Sequence, residues 1–487
     1  MEIYPIEKSR QMFWNDRLLD LGRTTAFFRS ASPQKRETCL ILDQDEELYR
    51  ACYFCTVKDD KGYKLYYVIS NKYTAVAVME STDGIHWQRP QINDTGIPDS
   101  RCNSILAEGL EDGFYVFYDT NPACPPEEKY KAIGRATGTY QGKERYRGLW
   151  SWVSADGYHF GNPRLLTDCG TFDSLNTVNF INGRYVCYFR GQHGKDKDGN
   201  YIECKNSNAI DEYHNSLGKP PVTRRDIRRI WSEDFVHWSY PEMIRFDDGE
   251  EVETYTNHIM PCPNAPELMI GFPVRYTSHP EWTQNEEQMN SSAVKKYAMV
   301  YRGDPRCGLA TTDCLFMYSH DGLLWHRFDE AFITPGYEEE HNWVYGDCYP
   351  AYGLIEAGET VNYMYCVERN RSPGVEKPLV RYEIRKDGFG CRMTGGKEAA
   401  VVTQPLTFEG SVLHLNFETS AAGYIYVDVL DFEGNPLGGK KSFEIYGNNI
   451  DRKICFADGT DFAEFAGKPV RLRFTMQEAK LYSMWFE

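Results

Sequence analysis

Short apolar and aromatic runs, separated by polar turns, dominate the first 390 residues. The clearest runs are Tyr63–Tyr67, Phe114–Tyr118, Tyr185–Phe189 and Val361–Tyr365. A further run stands just ahead of each Asp-containing turn, at Ala75–Met79, Leu149–Val153, Ile227–Trp231 and Cys314–Tyr318. Runs of four to seven residues rich in aromatic and β-branched side chains are typical of strands rather than helices. The pattern therefore predicts an all-β protein.

One turn phrase recurs four times behind these strands. It comprises Ser81–Trp87, Ser154–Phe160, Ser232–Trp238 and Ser319–Trp325, each with Ser first, Asp third and an aromatic residue seventh. Its Ser and Asp can bond backbone N–H groups of the turn, and its aromatic residue can pack between neighbouring sheets. A less complete fifth copy of the phrase lies at 386–389. Repeats of this length predict a five-bladed β-propeller.

A short segment ahead of each aromatic strand is expected to be the innermost strand of its blade. These segments are Thr38–Leu42, Asn103–Leu106, Asn176–Phe180, Thr256–Met260 and Tyr349–Gly353. Residues before Glu37 are expected to close the ring. Two long insertions, Gly194–Val222 and Ser278–Arg306, are expected to form rim loops that wall the funnel.

The pattern changes near Ala399. Alternation with period two at Val412–Phe417, Gly423–Val429 and Val470–Thr475 predicts a small β-sandwich. We expect a propeller catalytic domain at 1–398 and a sandwich domain at 399–487. The sandwich is either a structural flank of the propeller or a carbohydrate-binding module.

Charge and composition narrow the function classes. The net charge of −17 argues against nucleic acid and anionic membranes as partners. No run of 18 apolar residues is present, and the first ten residues hold no apolar leader, although a shortened sequence would conceal one. The spacing of the 15 cysteines indicates neither a zinc site nor a disulfide framework, which favours free thiols in a reducing cytoplasm. We expect a cytoplasmic protein, with a homo-oligomer as one possibility.

Acidic residues at the starts of the inner strands are the candidate chemistry. In a propeller these positions surround one mouth of the axis, so Glu37, Asp173, Glu253 and Asp347 are expected to converge there. Cleavage of a glycosidic bond needs two carboxyl groups, one protonated acid and one nucleophile or base. Asp173 is predicted as nucleophile or base and Glu253 as acid, with Glu37 or Asp347 as substitutes.

Polar residues at neighbouring strand ends are expected to hold the sugar through hydrogen bonds. They are Asp119, Asn176, Arg190, His193, Asn257, His258, Arg275 and Glu368. Salt bridges between blades are an equal alternative for Arg190, Arg275 and Glu368. No histidine spacing indicates a metal site, and no cofactor is expected.

These residues resemble the five-bladed propeller glycosidases, which include the invertase and fructanase group and the arabinanase and β-xylosidase group. The chain most resembles uncharacterised bacterial proteins related to the invertase group. The likeness covers nearly the whole chain, through the turn phrases, the C-terminal sandwich and the segments 119–126, 130–132, 172–174, 255–257, 271–273 and 466–474.

The resemblance implies a glycoside hydrolase that removes terminal, possibly furanoside, units from small oligosaccharides. The invertase motifs themselves are not fully matched in this chain. The segments that resemble them only in part are Phe13–Asp16, Ile202–Cys204 and Gly303–Arg306. Two alternatives stay open: a glycoside phosphorylase, with arginines such as Arg101, Arg190 and Arg275 clustered at the mouth, and a carbohydrate-binding propeller without catalysis.

Overall fold

The computed structural model describes residues 3–70, 74–90, 92, 104–105, 107–219, 223–372 and 374–487. It is an all-β protein with a five-bladed propeller and further β-structure at the C-terminus, as the sequence predicts. Arg101 and part of the segment Asn103–Leu106 lie outside the described residues.

Each blade is an antiparallel sheet, apart from one parallel outer strand in blade 4. Blade 1 contains Ala51–Asp59, Gly62–Ser70, Thr74–Ser81 and Ser104–Ile105. Blade 2 contains Leu110–Tyr118, Tyr130–Tyr140, Lys143–Ser154 and Gly161–Thr167. Blade 3 contains Thr177–Ile181, Arg184–Lys195, Thr223–Ser232 and Glu242–Met243, with Tyr201–Glu203 at its edge. Blade 4 contains Met260–Cys262, Ala265–Gly271, Met317–Ser319, Leu324–Arg327 and the parallel Arg245–Phe246, and Val274–Ser278 pairs with Ala310–Cys314 beside it. Blade 5 contains Val361–Val367, Lys377–Arg385 and Gln34–Leu42.

The turn phrase joins the third and fourth strands of blades 1 to 4 and has one hydrogen-bond pattern. In the first copy the Ser81 hydroxyl accepts from the N–H of residue 84 at 2.9 Å, and Asp83 Oδ1 accepts from the N–H of residue 85 at 2.8 Å. Tyrosines from a neighbouring blade donate to the turn carbonyls, as Tyr66 does to Gly157 at 3.0 Å and Tyr188 to Gly322 at 3.1 Å. The phrase is therefore a joint between blades as well as a turn.

The innermost strands of blades 1 and 2 differ from the prediction. Residues 38–42 belong to Gln34–Leu42, which pairs with Lys377–Arg385 as the outer strand of blade 5 and closes the ring. Ser104–Ile105 likewise pairs with Thr74–Ser81 at the outer edge of blade 1. The aromatic strands Ala51–Asp59 and Leu110–Tyr118 take the inner positions instead. In blade 3 the inner strand Thr177–Ile181 lies where the sequence places it, and in blade 4 the inner strand Met260–Cys262 overlaps the predicted segment only at Met260.

The C-terminal β-structure is built around two long bent strands, Leu413–Leu430 and Arg471–Phe486. Its eight-stranded sheet also includes Gln11–Met12, Phe27–Ser30, Gly390–Met393, Ala399–Val402, Pro436–Lys441 and Asn448–Ile454, and Tyr4–Glu7 pairs with Leu406–Phe408 in a second sheet. N-terminal strands thus pair with the C-terminal sheet. The division at residue 398 stays a prediction.

Helices are few and lie in connections. They span Asp45–Tyr49, Ile210–Ser216, Gln284–Gln288, Ser292–Arg302 and Arg306–Leu309, with short 3₁₀ turns at Asp16–Leu18, Pro126–Glu128, Ser207–Ala209 and Ala463–Phe465. In the part of the chain that is described, every helix is too short or too polar to cross a membrane.

Candidate functional site

A cavity of about 460 Å³ opens where the inner strands begin, and we call it the axial cavity. Its lining includes residues from all five blades and from the insertion between Val274–Ser278 and Ala310–Cys314. The lining residues that carry polar or aromatic groups are Tyr49, Arg50, Tyr53, Asp112, Asp173, Tyr255, Tyr297, Tyr301, Arg302, Arg306, Tyr345 and Arg371. The cavity therefore lies where the starts of the inner strands were predicted to meet, at one mouth of the propeller axis.

Two carboxyl groups meet in the axial cavity. Asp173 stands just before the inner strand of blade 3, and Asp112 lies at the start of the inner strand of blade 2. Asp173 Oδ2 lies 3.2 Å from Arg190 Nη1. Asp112 Oδ1 accepts from Arg50 Nη2 at 2.6 Å and from the N–H of Gly113 at 2.9 Å. Each carboxyl group is thus held by an arginine of its own.

Gly113 explains why the two acids lie so close together. Its φ is +60°, and a Cβ on this residue would lie 2.2 Å from the carbonyl oxygen of Ser174. Only a residue without a side chain lets these two backbones touch. The contact brings the start of blade 2 against the turn that carries Asp173.

Asn176 fixes the Asp173 turn from below. Its side-chain amide donates to the carbonyls of Phe172 at 3.0 Å and Ser174 at 3.1 Å, and its oxygen accepts from the N–H of Arg190 at 3.0 Å. Asn176 was predicted to bind sugar, but it is buried and engaged with backbone. It is therefore a positioning residue for Asp173.

The surroundings of Asp112 and Asp173 shift the pKa values of the two carboxyl groups in opposite directions. Burial raises the pKa of Asp112, and the neighbouring Asp173 charge adds to the rise against the opposing effect of Arg50. Burial also opposes ionisation of Asp173, but Arg190, Arg135 and Arg371 and a hydrogen bond from Asp112 outweigh it and lower its pKa. A raised pKa for Asp112 and a lowered pKa for Asp173 favour the protonated form of the first group and the ionised form of the second.

Glu253 lines a second cavity of about 690 Å³, which we call the rim cavity. Asp173 and Arg306 line both cavities, so the two adjoin at these side chains. The Glu253 carboxylate is ion-paired with the Arg225 guanidinium, which favours its ionised form. The structure thus brings Asp173 and Glu253 to one cavity, as the sequence suggests.

Arginines outnumber acids around this site. Among the described residues, eight arginines and three acidic residues line the two cavities. The arginines are Arg50, Arg135, Arg190, Arg224, Arg225, Arg302, Arg306 and Arg371, and the acids are Asp112, Asp173 and Glu253. Six of these arginines are nevertheless ion-paired, because Glu111, Glu251 and Asp304 pair with Arg135, Arg224 and Arg306 from outside the lining. Among the described residues, the two arginines of the lining that form no ion pair are Arg302 and Arg371.

Both long insertions contribute to the walls. Ile210 and His214 of the first insertion line the rim cavity. The helix Ser292–Arg302 of the second insertion places Tyr297 and Tyr301 at the axial cavity, with their rings stacked at 5.6 Å between centroids. The expectation that these insertions wall the funnel is confirmed.

Glu37 and Asp347 lie elsewhere. Glu37 is on the outer strand Gln34–Leu42, where its carboxylate accepts from Arg381 Nε at 2.9 Å and Nη2 at 3.0 Å. Its predicted place at the mouth is wrong because its strand is an outer one. Asp347 lines a separate cavity of about 330 Å³ together with Glu368, which pairs with Lys35.

Asp119 and Arg275 are engaged in ion pairs away from the axial cavity. Asp119 ends the inner strand of blade 2, and it is fully buried with Lys131 Nζ at 2.7 Å and the Tyr185 hydroxyl at 2.7 Å. Arg275 forks onto Asp313, with Nε at 2.9 Å from Oδ1. Arg275 and Glu368 both form salt bridges, but each bridge lies within one blade and not between blades as the alternative predicted.

The remaining predicted ligands are buried structural groups. His193 shares a hydrogen bond of 2.9 Å between its Nδ1 and Asp226 Oδ2. Asn257 accepts from the Thr177 hydroxyl at 2.9 Å and donates to the Tyr188 carbonyl at 3.2 Å. Burial lowers the pKa of His258 to about 3, so this ring is neutral. Across the described ranges, no group of three or more His, Cys, Asp or Glu side chains is arranged to hold a metal ion.

Asp112, Arg50 and Arg371 are the site residues that the sequence prediction missed. Counting back from the aromatic strand of blade 2 led to residues 101–103, because that strand was expected to be second from the axis. Asp112 stands directly at the start of the same strand, as Arg50 does in blade 1. If the aromatic strands of blades 1 and 2 are placed innermost, the sequence indicates Arg50 and Asp112 as site residues.

No protein-family model and no curated protein matches this chain. Solved structures do resemble it. An arabinoxylan arabinofuranohydrolase of glycoside hydrolase family 43 from Bacillus subtilis shares 10% identity over 89% of this chain and 78% of its own, with a TM-score of 0.31. An α-L-arabinanase from Penicillium chrysogenum shares 10% identity over 78% and 94%, with a TM-score of 0.34. A member of a mannoside phosphorylase family that contains β-1,2-mannoside hydrolases shares 11% over 72% and 94%, with a TM-score of 0.41. At these values no site residue is transferred from them.

Proposed function

We propose that this protein is a glycosidase that cleaves terminal sugar units from small oligosaccharides. The observation that carries the proposal is the Asp112–Asp173 pair in the axial cavity, where burial raises the pKa of Asp112 and the surrounding arginines lower that of Asp173. Glycosidic cleavage needs a carboxylic acid that stays protonated near neutral pH and a carboxylate that stays ionised. Burial and the arginines supply both states within one cavity.

Proton transfer to the leaving oxygen is the role of the pair. As the bond between the anomeric carbon and the glycosidic oxygen breaks, Asp112 gives its proton to that oxygen. Asp173 stabilises the acid before transfer and the positive charge that develops on the sugar ring. The Asp112 carboxylate formed in the step is held by Arg50.

Activation of water is the role of Glu253. A water molecule attacks the anomeric carbon, and its proton passes to the Glu253 carboxylate, which Arg225 keeps ionised. Glu253 is therefore proposed as the base instead of the predicted acid, and Asp173 stabilises charge instead of acting as the nucleophile or base. Asp112 and Asp173 line the same cavity on backbone segments that contact each other at Gly113 and Ser174, and in this mechanism they act as one unit. The base must therefore come from another residue.

The aromatic lining supports a sugar substrate. Tyr53, Tyr255 and Tyr345 line the cavity of about 460 Å³, a size suited to one or two sugar rings. Tyr297 and Tyr301 extend this lining to the cavity mouth.

The experiment is a screen of furanoside and pyranoside aryl-glycosides and short oligosaccharides with purified protein. We expect one class of glycoside to be cleaved with inversion at the anomeric carbon. Proton NMR of the first product measures its anomeric configuration. Asp112→Asn, Asp173→Asn and Glu253→Gln are each expected to lose about 10²–10⁴-fold in kcat, the usual contribution of a positioned acid or base. Glu37→Gln is the matched control and should keep full activity.

Activity that survives in the folded Asp112→Asn and Asp173→Asn variants would refute the site. Melting shifts with sugars but no turnover on any glycoside would favour the carbohydrate-binding propeller instead.

A further inference from the structure

Arg371 is a preorganised guanidinium without an acidic partner. Its stem packs against Gly346, where a Cβ would lie 2.1 Å from Arg371 Cγ, and its guanidinium lies 5.0 Å from the Tyr345 ring centroid. Within the described chain Arg371 forms no ion pair, and its buried Nε has no hydrogen-bond partner. Its planar group is therefore fixed in the axial cavity with its donors free.

Two neighbouring arginines, Arg190 and Arg225, are ion-paired with Asp173 and Glu253 but share the unpartnered, buried Nε. Arg190 is 7% exposed and pairs with Asp173, yet its buried Nε has no partner. Arg225 packs over the Tyr276 ring at 4.3 Å, and its buried Nε is also unpartnered. Burial lowers the pKa of Arg225, and repulsion from Arg190 and Arg306 lowers it further. Positive charges are crowded here, so an added anion would relieve their repulsion.

We infer that the axial and rim cavities bind an oxyanion, and that the substrate or co-substrate of the reaction carries it. Planar guanidinium groups match carboxylates and phosphates through paired N–H donors. A neutral sugar offers hydroxyl groups only and leaves the Arg371 guanidinium without an acidic partner. The inference rests on the proposed glycosidase function and names its substrate class.

Two sources supply this one chemistry. The first is a sugar carboxylate, which makes the substrate an acidic glycoside that water cleaves. The second is inorganic phosphate, which replaces water: a phosphate oxygen bonds to the anomeric carbon, the glycosidic bond breaks, and the leaving oxygen takes the proton of Asp112. Either source places an oxyanion beside Arg371.

The binding experiment uses the whole protein and isothermal titration calorimetry at low and high NaCl. The probes are D-glucuronate, D-galacturonate and inorganic phosphate, with D-glucose and D-galactose as neutral counterparts. We expect at least one anion to bind about tenfold or more tighter than the neutral sugars, and high salt to weaken its binding.

Arginine variants test the location. Arg371→Gln and the exposed Arg306→Gln are expected to weaken anion binding about tenfold, the loss of one charge-assisted contact. Arg371→Lys keeps the positive charge but lacks the paired N–H donors of a guanidinium. Its anion affinity should lie between those of the glutamine variants and that of the wild type. Arg164→Gln, on the outer strand of blade 2, removes the same charge far from the site and should change nothing.

Turnover then distinguishes the sources. Cleavage of uronides without phosphate assigns the oxyanion to the substrate, and phosphate-dependent formation of a sugar phosphate assigns it to the co-substrate. Anions that bind no tighter than neutral sugars at low salt overturn the inference, and cleavage of neutral glycosides without phosphate would then leave the glycosidase proposal standing. Arg371-dependent anion binding without any cleavage would uphold the inference and refute the glycosidase.

Discussion

Asp347→Asn is expected to stabilise the protein at alkaline pH and leave its stability unchanged in acid. Asp347 is 7% exposed, and burial raises its pKa to about 7 although the backbone N–H groups of Val344 and Trp343 oppose the rise. The Glu368 charge raises the pKa further, and Lys295 opposes it. The folded protein therefore prefers a neutral group at this position.

The sign and size follow from linkage between protonation and folding. An aspartate in the unfolded chain titrates near 3.8, so the folded state binds the proton more tightly. The contribution of Asp347 is fully present below pH 4 and is lost as pH rises to 7. A difference of about three pH units corresponds to about 4 kcal/mol at 25 °C. Asparagine carries no charge, so the variant avoids this loss.

Urea unfolding followed by tryptophan fluorescence at pH 4 and pH 8 measures the effect. We expect Asp347→Asn and wild type to agree at pH 4, and the variant to be more stable by up to about 4 kcal/mol at pH 8. The exposed Asp329→Asn is the matched control and should follow wild type at both pH values. A difference between Asp347→Asn and wild type that is the same at pH 4 and pH 8 would refute the reasoning.

Three further substitutions test the geometry of the site. Gly113→Ala would press a Cβ onto the Ser174 carbonyl at 2.2 Å and should lower both the melting temperature and kcat, whereas Gly142→Ala, at φ +76° in open space, should cost only about 1 kcal/mol; equal losses in the two would contradict the contact. Glu37→Gln removes the exposed partner of the buried Arg381, which keeps Glu383 as a second partner, and should shift the free energy of unfolding by less than about 1 kcal/mol with kcat unchanged, so a large loss of kcat would return Glu37 to the site. Tyr301→Ala should raise KM for longer oligosaccharides more than for aryl-glycosides, and an equal change for both would show that the ring contacts no distal sugar.

The turn phrase made the propeller predictable from sequence. Ser81, Asp83 and their counterparts bond the turn locally, so the same residues are needed wherever the turn recurs. The aromatic residue that follows packs against a neighbouring blade, as Trp87 does on Tyr365 at 5.7 Å between ring centroids. Local chemistry and repeat length together gave the number of blades.

Strand order within a blade was not predictable in the same way. Residues 38–42 have the composition of an inner strand but pair with Lys377–Arg385, some 340 residues away, and this pairing depends on ring closure. This error placed Glu37 at the predicted mouth of the propeller and left Asp112 out of the predicted site. Asp173 was found because blade 3 has an inner strand that precedes its aromatic strand in the chain.

The arginines of the site could not be predicted as a group. Arg50, Arg190 and Arg371 lie in three different blades, and each stands next to residues that read as ordinary strand ends. Only the closed ring shows that their charges face one cavity without an equal number of acids.

A crystal structure of Asp173→Asn with the oligosaccharide that the screen identifies would test the central claim most directly. The account predicts that the sugar occupies the axial cavity, with its glycosidic oxygen about 3 Å from a carboxyl oxygen of Asp112. A sugar bound at another surface, with the axial cavity holding only solvent, would contradict it.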